Sequence, residues 1–531
     1  LADAPGALEP VSSFGPFDVL AERAHGFYLD GFSESAVQAA REGLAFCEAA
    51  GDERTARFLQ FICGVALHQL GRHSEASVEA GHLLRRLESS GDPLWRAKAL
   101  ALLAEARVDL GMTTLAMDHL AEGRMLVAAA KGGGYNRLAA TMSVALALRA
   151  LVLFEPADEL LVSISSVTRY SRRLQLTVVQ EAAVLRASWG AMLELVGRPG
   201  DAREHYGEAH ARALWMQQLA WEVGYPEMLA RGEAIEGFVL QRTGAGGLAE
   251  ARLRQAMAGF RQREVLAETH IARIGLALAL SERGLHTEAR ALLEEVTRTI
   301  RRSHVDVWAS AALSAIARVA VEEHGDHPVA APLSALVRSS LSRLWADREG
   351  RFEALQDRMR VREMAEQTDR MGRAALEDPL TRLGNRRLLQ QVLERADRLF
   401  GAIFVDVDSF KFVNDDFSHE VGDAVLRRVA EVLRSRCRDE DVVIRYGGDE
   451  FVLLLAGEDA DARSVAERVL AGVRAEDWEA LAPGLRVTVS LGVARRAPAA
   501  EALSQADAAC AAAKRGGRDR VAGAPAAEGA P

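Results

Sequence analysis

Two acidic stretches about forty residues apart are the part of this sequence whose residue types and spacing could do chemistry. Tyr446-Gly447-Gly448-Asp449-Glu450-Phe451 lies between the apolar runs Val442-Val443-Ile444 and Phe451-Val452-Leu453-Leu454-Leu455, which read as neighbouring buried strands. A Gly-Gly pair between such runs is a hairpin turn. Here the turn is followed at once by two acids, and glycines beside a carboxylate let a large ligand approach a metal-binding group. A solvated hairpin tip has the same composition, so the stretch alone fits both readings. Upstream, Ala402-Ile403-Phe404-Val405-Asp406-Val407-Asp408-Ser409-Phe410-Lys411 reads as another buried strand that ends in acids. Two carboxylates facing one site suit Mg²⁺, which takes a few hard oxygens from protein and the rest from water and phosphate.

Further motifs follow at ordered spacings. They are Asp378-Pro379-Leu380-Thr381-Arg382-Leu383-Gly384-Asn385-Arg386-Arg387, then Asn414, His419-Glu420-Val421-Gly422-Asp423, Ser490-Leu491-Gly492-Val493-Ala494 and Lys514-Arg515-Gly516-Gly517-Arg518-Asp519. With these motifs, residues 377–522 resemble a GGDEF domain, the diguanylate cyclase module. Two positions depart from the family pattern. Arg382 replaces a usual glycine of the opening motif, and Ser418 replaces the usual glycine before His419. Neither position contacts a ligand in the family.

The resemblance implies an α/β fold, a mainly antiparallel sheet with helices on its faces, similar to nucleotidyl-cyclase and polymerase palm domains. Strands are expected over 402–407, 442–446, 451–456 and 486–494, and helices over 386–398, 421–436, 460–474 and 500–514. It also implies the reaction: two GTP condense to cyclic di-GMP and two pyrophosphates. Asp406, Asp449 and the carbonyl of Val407 would hold Mg²⁺, two ions per site, with Mn²⁺ as an alternative. Asp449 would help deprotonate the 3′-hydroxyl, Glu450 would support it, and Lys411 would stabilise the transition state. Lys411, Lys514, Arg518 and the backbone N–H groups of Phe410 and Lys411 match phosphate positions, and Gly447 and Gly448 leave room for the nucleotide. Asn414 and Asp423 match the guanine-reading pair, since a carboxylate accepts both N1–H and the N2 amino group. Arg438 and Asp441 have the spacing of the family's inhibitory product site, although a local helix-end ion pair has the same spacing.

The N-terminal two thirds follows a different pattern. Gly31-Phe32-Ser33-Glu34-Ser35-Ala36 is answered by Gly71-Arg72-His73-Ser74-Glu75-Ala76 and by Gly111-Met112-Thr113-Thr114-Leu115-Ala116, a step of forty residues each time. Gly51-Asp52 and Gly91-Asp92 keep the same step half a period away. Two helices per unit describe an all-α solenoid over 17–345, resembling a tetratricopeptide-like array with long units. Such arrays bind a peptide or protein, or serve as spacers. His205 and His210 are not at a helical metal-pair spacing, so packing or surface roles are expected. Residues 346–376 form a helical linker. Leu341, Trp345, Phe352, Leu355 and Met359 lie near a heptad seam, which Val361, Met364, Thr368 and Met371 continue after a phase shift. A coiled coil joining two copies and a connector packed on its own solenoid both fit. Residues 1–16 and 523–531 are expected to be disordered.

Composition sets outer limits. The chain has 531 residues, is 49% hydrophobic and carries a net charge of −10, which speaks against nucleic acid as a partner. Cys47, Cys63, Cys437 and Cys510 are scattered, as in reduced buried thiols. The best transmembrane candidate, 138–154, is broken by Arg149 and reads as a buried helix. With no signal-peptide pattern at the start, a cytoplasmic protein is expected, with no membrane partner. Only four lysines occur, and two of them, Lys411 and Lys514, fall in the motifs that carry the GGDEF resemblance. The expected partners are GTP, cyclic di-GMP, a second copy through the GGDEF domain and linker, and an unknown peptide or protein ligand of the repeats. The competing readings are an idle receptor that binds cyclic di-GMP at Arg438 and Asp441, and a helical scaffold.

Overall fold

The computed structural model describes residues 17–523 apart from 89–90, 131–133, 166–170, 261–265, 301–306, 326–327, 329, 395–398 and 458–460. The expectations for 1–16 and for the tail after Gly523 lie outside the described residues. The chain divides into two compact units, Leu1–Val361 and Arg362–Pro531.

Among the described residues, the first unit is wholly helical, from α1 (Asp18–Leu29) to α16 (Ala330–Ala374), whose residues up to Val361 belong to it. The forty-residue step is visible in where the helices begin. α2 (Ser33–Ala50), α4 (His73–Leu87) and α6 (Thr113–Ala129) keep it on one side, and α3 (Glu53–Gln69) and α5 (Pro93–Asp109) keep it on the other. Each starts after a glycine turn with positive φ, from Gly31 to Gly111. Asp52 and Asp92 cap α3 and α5 by accepting first-turn N–H groups. The step lapses at the longer pair α9 (Arg172–Leu195) and α10 (Pro199–Val223), then resumes between α12 (Gly246–Gly259) and α14 (His286–Thr299). Alternate helices touch one another (α1 with α3, α3 with α5, α11 (Pro226–Arg242) with α13 (Ala267–Glu282)), the stacking that makes a solenoid. The array curls until its start meets α11: Arg231 donates to the Leu29 carbonyl, and Tyr225 Oη to Asp30 at 3.3 Å. Residues 138–154 lie in this core, shared by α7 (Tyr135–Ala150) and the start of α8 (Phe154–Ser165), and no helix among the described residues is long and apolar enough to cross a membrane.

In α16 the first half of the apolar stripe packs on its own unit, the second of the two arrangements expected. Leu355 is 0% exposed in the core of the helical unit, and Trp345, Phe352 and Met359 pack against the same core. Arg348 pairs with Glu155 at 2.6 Å and Arg358 with Asp118 at 2.6 Å. The first half of the heptad stripe is therefore covered by its own unit and is not available to a second chain. Val361, Met364 and Met371 remain 66%, 60% and 60% exposed.

The second unit is an α/β domain. α17 (Arg386–Leu393) precedes β1 (Leu399–Val407), then α18 (Phe410–Asp416), α19 (His419–Ser435), β2 (Val442–Gly447), β3 (Glu450–Leu455), α20 (Ala462–Ala475), β4 (Val489–Pro498), α21 (Ala499–Arg515) and β5 (Val521–Gly523). The sheet order is β2-β3-β1-β4-β5, antiparallel except for β4 with β5. α18 and β5 were not expected from the sequence. Both residues that depart from the family pattern adopt backbone that favours glycine, Arg382 at φ 60° and Ser418 at φ 154°. Ser418 recovers part of the cost because its hydroxyl caps α19 by accepting from Val421 N–H at 3.3 Å. Exposed Arg382 has no such return. Arg382→Gly should therefore raise the stability of this unit by about 0.5–1 kcal/mol, read as a shift in urea midpoint, whereas Ser418→Gly should change it by only a few tenths.

Candidate active site

The central strand β1 delivers Asp406 to the sheet's edge of action. It is 5% exposed, paired in register with Glu450 on one side and Ser490 on the other. The β2–β3 hairpin folds beside it: Val407 N–H donates to the Asp449 carbonyl at 3.1 Å, so Asp406, Asp449 and Glu450 come to one place. Burial, and then the charges of Asp449 and Glu450, push the Asp406 carboxyl up to about 6 against the opposing pull of Lys514. Glu450 is also raised, by burial and then by Asp449. Crowded oxygen donors of one sign, one of them buried, fit a hard divalent cation, so the residues present suit the Mg²⁺ expected from the sequence.

Lys514 forms an ion pair with Asp406 across 108 residues of chain. Burial lowers the Lys514 ammonium, but the bond to Asp406 more than offsets this and holds it above the usual lysine range. α21 can bring it there because Gly492 has no side chain. A Cβ on Gly492 would sit 2.0 Å from the Ala506 carbonyl oxygen and 2.1 Å from Cys510 N, so the helix backbone lies directly on β4.

The hairpin is held by a clamp that sequence reading missed. Arg445 donates from Nε and Nη2 to the Gly448 carbonyl at 3.0 and 2.8 Å, and from Nη1 to Asp378 at 3.2 Å. Asp378 accepts Thr381 N–H and Oγ1–H at 2.8 Å each. Burial opposes the Asp378 charge, but Thr381 and Arg445 hold it below the usual carboxylate range. The Asp-x-x-Thr spacing of a side-chain turn was the available signal. Asp408, also unassigned from sequence, accepts Ser490 Oγ–H at 2.6 Å, Thr488 Oγ1–H at 2.8 Å and Asp519 N–H at 3.0 Å, which ties the loop bearing Arg518 to the sheet.

The remaining expected residues fall as follows. Gly447 and Gly448 are exposed, and a Cβ at either would meet nothing within 4 Å; Gly447 has no positive φ to explain it, so packing does not require glycine there. Phe410 and Lys411 form the first turn of α18, with Lys411 exposed, and Arg518 is exposed at φ 59°. Asn414 lies against Gly422, where a Cβ would be 2.0 Å from its Oδ1, so it sits one residue from Asp423 at the start of α19. Asp441 is 7% exposed, and its two oxygens accept Arg438 N–H at 2.8 Å and Ala456 N–H at 3.1 Å. It closes the turn into β2 (a role its spacing did not reveal), while the Arg438 side chain is exposed beside Glu440. His205 stacks on Trp189 at 3.9 Å, a packing role as expected. The four cysteines are free, three of them buried.

Comparison with known proteins identifies the domain that carries this site. The family model for the diguanylate cyclase GGDEF domain matches residues 375–520. Over 128 residues the chain is 42% identical to the bifunctional diguanylate cyclase/cyclic di-GMP phosphodiesterase MucR of Pseudomonas aeruginosa, covering 23% of this chain and 18% of that one. Over 188 residues it is 38% identical to diguanylate cyclase DgcP of the same species, covering 32% and 28%. The chain thus spans less than a third of the length of these relatives. A solved structure of the coiled coil and GGDEF domain of DgcB from Caulobacter crescentus, in complex with c-di-GMP, is similar at 29% identity, covering 34% of this chain and all of that one, with a TM-score of 0.29. Residues 375–520 are a GGDEF domain.

Proposed function

We propose that this chain is a diguanylate cyclase, and the observation that carries the reading is the convergence of Asp406, Asp449, Glu450 and Lys514 beside an open glycine turn. Each GTP's 3′-hydroxyl attacks the α-phosphate of the other, and pyrophosphate leaves from each. Negative charge shifts on phosphate oxygens throughout, so positioned cations do most of the work. Lys514, Lys411 and Arg518 bind and orient the triphosphate, with the N–H groups of Phe410 and Lys411 as further donors. Asp449 takes up the proton of the 3′-hydroxyl and Glu450 supports the site. Asp406, Asp449 and the Val407 carbonyl would hold Mg²⁺, or Mn²⁺ on the same donor set, and the bound cation would supply Lewis-acid charge. Since one domain carries one GTP, two copies must meet. The exposed stripe of Val361, Met364, Thr368 and Met371 is the part of α16 left to pair them. The repeats take a peptide or protein ligand that sets this geometry. The cytoplasm, where GTP is abundant, is the place for such an enzyme. Turnover of GTP with Mg²⁺ by the full chain tests the reading.

Guanine is read by Asp423 with Asn414. Asp423→Ser should weaken discrimination against ATP by about 1–3 kcal/mol, because a charged acceptor for two guanine donors is lost. Competitive turnover with both nucleotides measures it, and an unchanged product ratio would place base recognition elsewhere.

Product inhibition belongs to the Arg438 guanidinium, with Asp441 holding the turn beneath it. Arg438→Ala should relieve inhibition by added cyclic di-GMP and leave initial rates near wild type, since the side chain is exposed and its ion pair with Glu440 is long at 3.5 Å. Inhibition that survives the substitution would remove Arg438 from that site.

A further inference from the structure

We propose that His68, His73 and Asp109 form a binding site in the helical unit for a divalent transition cation of the Zn²⁺ type. His68 is in the last turn of α3, His73 opens α4 and Asp109 closes α5. The turn between α3 and α4 is tight: Gly71 N–H donates to the His68 carbonyl and Arg72 N–H to the Leu67 carbonyl. It sets the two imidazoles 5.1 Å apart, centroid to centroid. Asp109 Oδ2 then lies 2.7 Å from His68 Nε2 and 3.3 Å from His73 Nδ1. One donor atom from each of the three residues lies within 4.8 Å of the others. Zn–N and Zn–O bonds of about 2.0–2.1 Å in a tetrahedron place ligand atoms about 3.3 Å apart, so the His73–Asp109 pair already has that spacing and the His68–Asp109 pair needs to open by about 0.6 Å.

Histidine 73 distinguishes this from an ordinary ion pair. It is 9% exposed, and neither of its ring nitrogens has a hydrogen-bond partner. A His68–Asp109 pair accounts for His68 alone and leaves both buried ring nitrogens of His73 without a hydrogen bond, with only the charge of Asp109 3.3 Å from Nδ1, an arrangement native proteins avoid. A cation shared with Asp109 satisfies it. Glu105 is one helical turn before Asp109, with Oε2 3.6 Å from His68 Nδ1. That is where an outer carboxylate fixes a ligating imidazole with its other nitrogen turned to the metal. Arg149, the cation near this cluster, is engaged by Glu181 at 3.2 Å. Imidazole with one carboxylate selects a borderline ion over Mg²⁺ or Ca²⁺, and three protein ligands leave a fourth position for water, reached past the partly exposed His68. The ion would pin three helix ends, and so stabilise the first repeats in proportion to its occupancy.

The test uses the tag-free full chain stripped with chelator. Titration calorimetry with Zn²⁺ should show one site that Mg²⁺ does not compete for, and Zn²⁺ should raise the melting temperature. In His73→Gln and in His68→Gln, Zn²⁺ affinity should fall at least a hundredfold and the melting shift should vanish. Co²⁺ added to wild type should give the visible absorption of a tetrahedral nitrogen–oxygen site, displaced by Zn²⁺, which keeps the test decisive if the variants do not fold. Absence of that absorption, or Zn²⁺ binding equal to wild type in both folded variants, would overturn the site.

Discussion

Asp449→Ala should yield a folded protein that makes essentially no product. The fold contribution of this residue comes from its backbone, since the Asp449 carbonyl accepts Val407 N–H, and alanine keeps that bond. The lost side chain is one of three crowded carboxylates, so its removal relieves repulsion on Asp406 and should not destabilise the hairpin. In the proposed mechanism catalysis loses both a cation ligand and the proton acceptor. About 4 kcal/mol or more of transition-state stabilisation should disappear, roughly a thousandfold in rate. Circular dichroism with steady-state turnover checks both halves, and a folded variant at wild-type rate would remove Asp449 from the chemistry.

The second large effect is on stability. Leu355→Asp places a carboxylate at a position with no exposure, in the core that also holds Phe154 and Trp189. Truncation alone, as in Leu355→Ala, should cost about 2–5 kcal/mol. The aspartate adds the penalty of a buried charge without a partner and should unfold much of the helical unit. Met364→Asp, on the exposed part of the same helix, should change stability by about 0.5 kcal/mol or less. Thermal melting of the three variants separates the cases. If Leu355→Asp melted like wild type, the packing of α16 within its own unit would be wrong.

That contrast also shows what a sequence can carry. The hairpin and the strand ending in Asp406 were legible because strand alternation and glycine turns are local signals. The helical repeat was legible because its turns recur in phase. An apolar stripe at heptad spacing says only that one helix face is covered, not by what, so Leu355 read equally well as a seam between copies and as core. Arg438 and Asp441 pose the same problem at smaller scale, since R-x-x-D spacing also suits a carboxylate closing its own turn. Asp408 depends on Ser490, 82 residues away, and only strand register brings them together. His68 and His73 straddle a turn, so no helical spacing marks them. Gly422 and Gly492 stand in recognisable motifs, but the reasons for them, room for Asn414 and for the backbone of α21, are tertiary.

The central claim is the reaction, and product identity tests it most directly. Purified full chain incubated with GTP and Mg²⁺, with the mixture resolved by mass spectrometry, should accumulate cyclic di-GMP with two pyrophosphates released per product. GTP left intact by a folded, Mg²⁺-supplied protein over a range of protein concentrations, or consumed to a different product, would contradict the account.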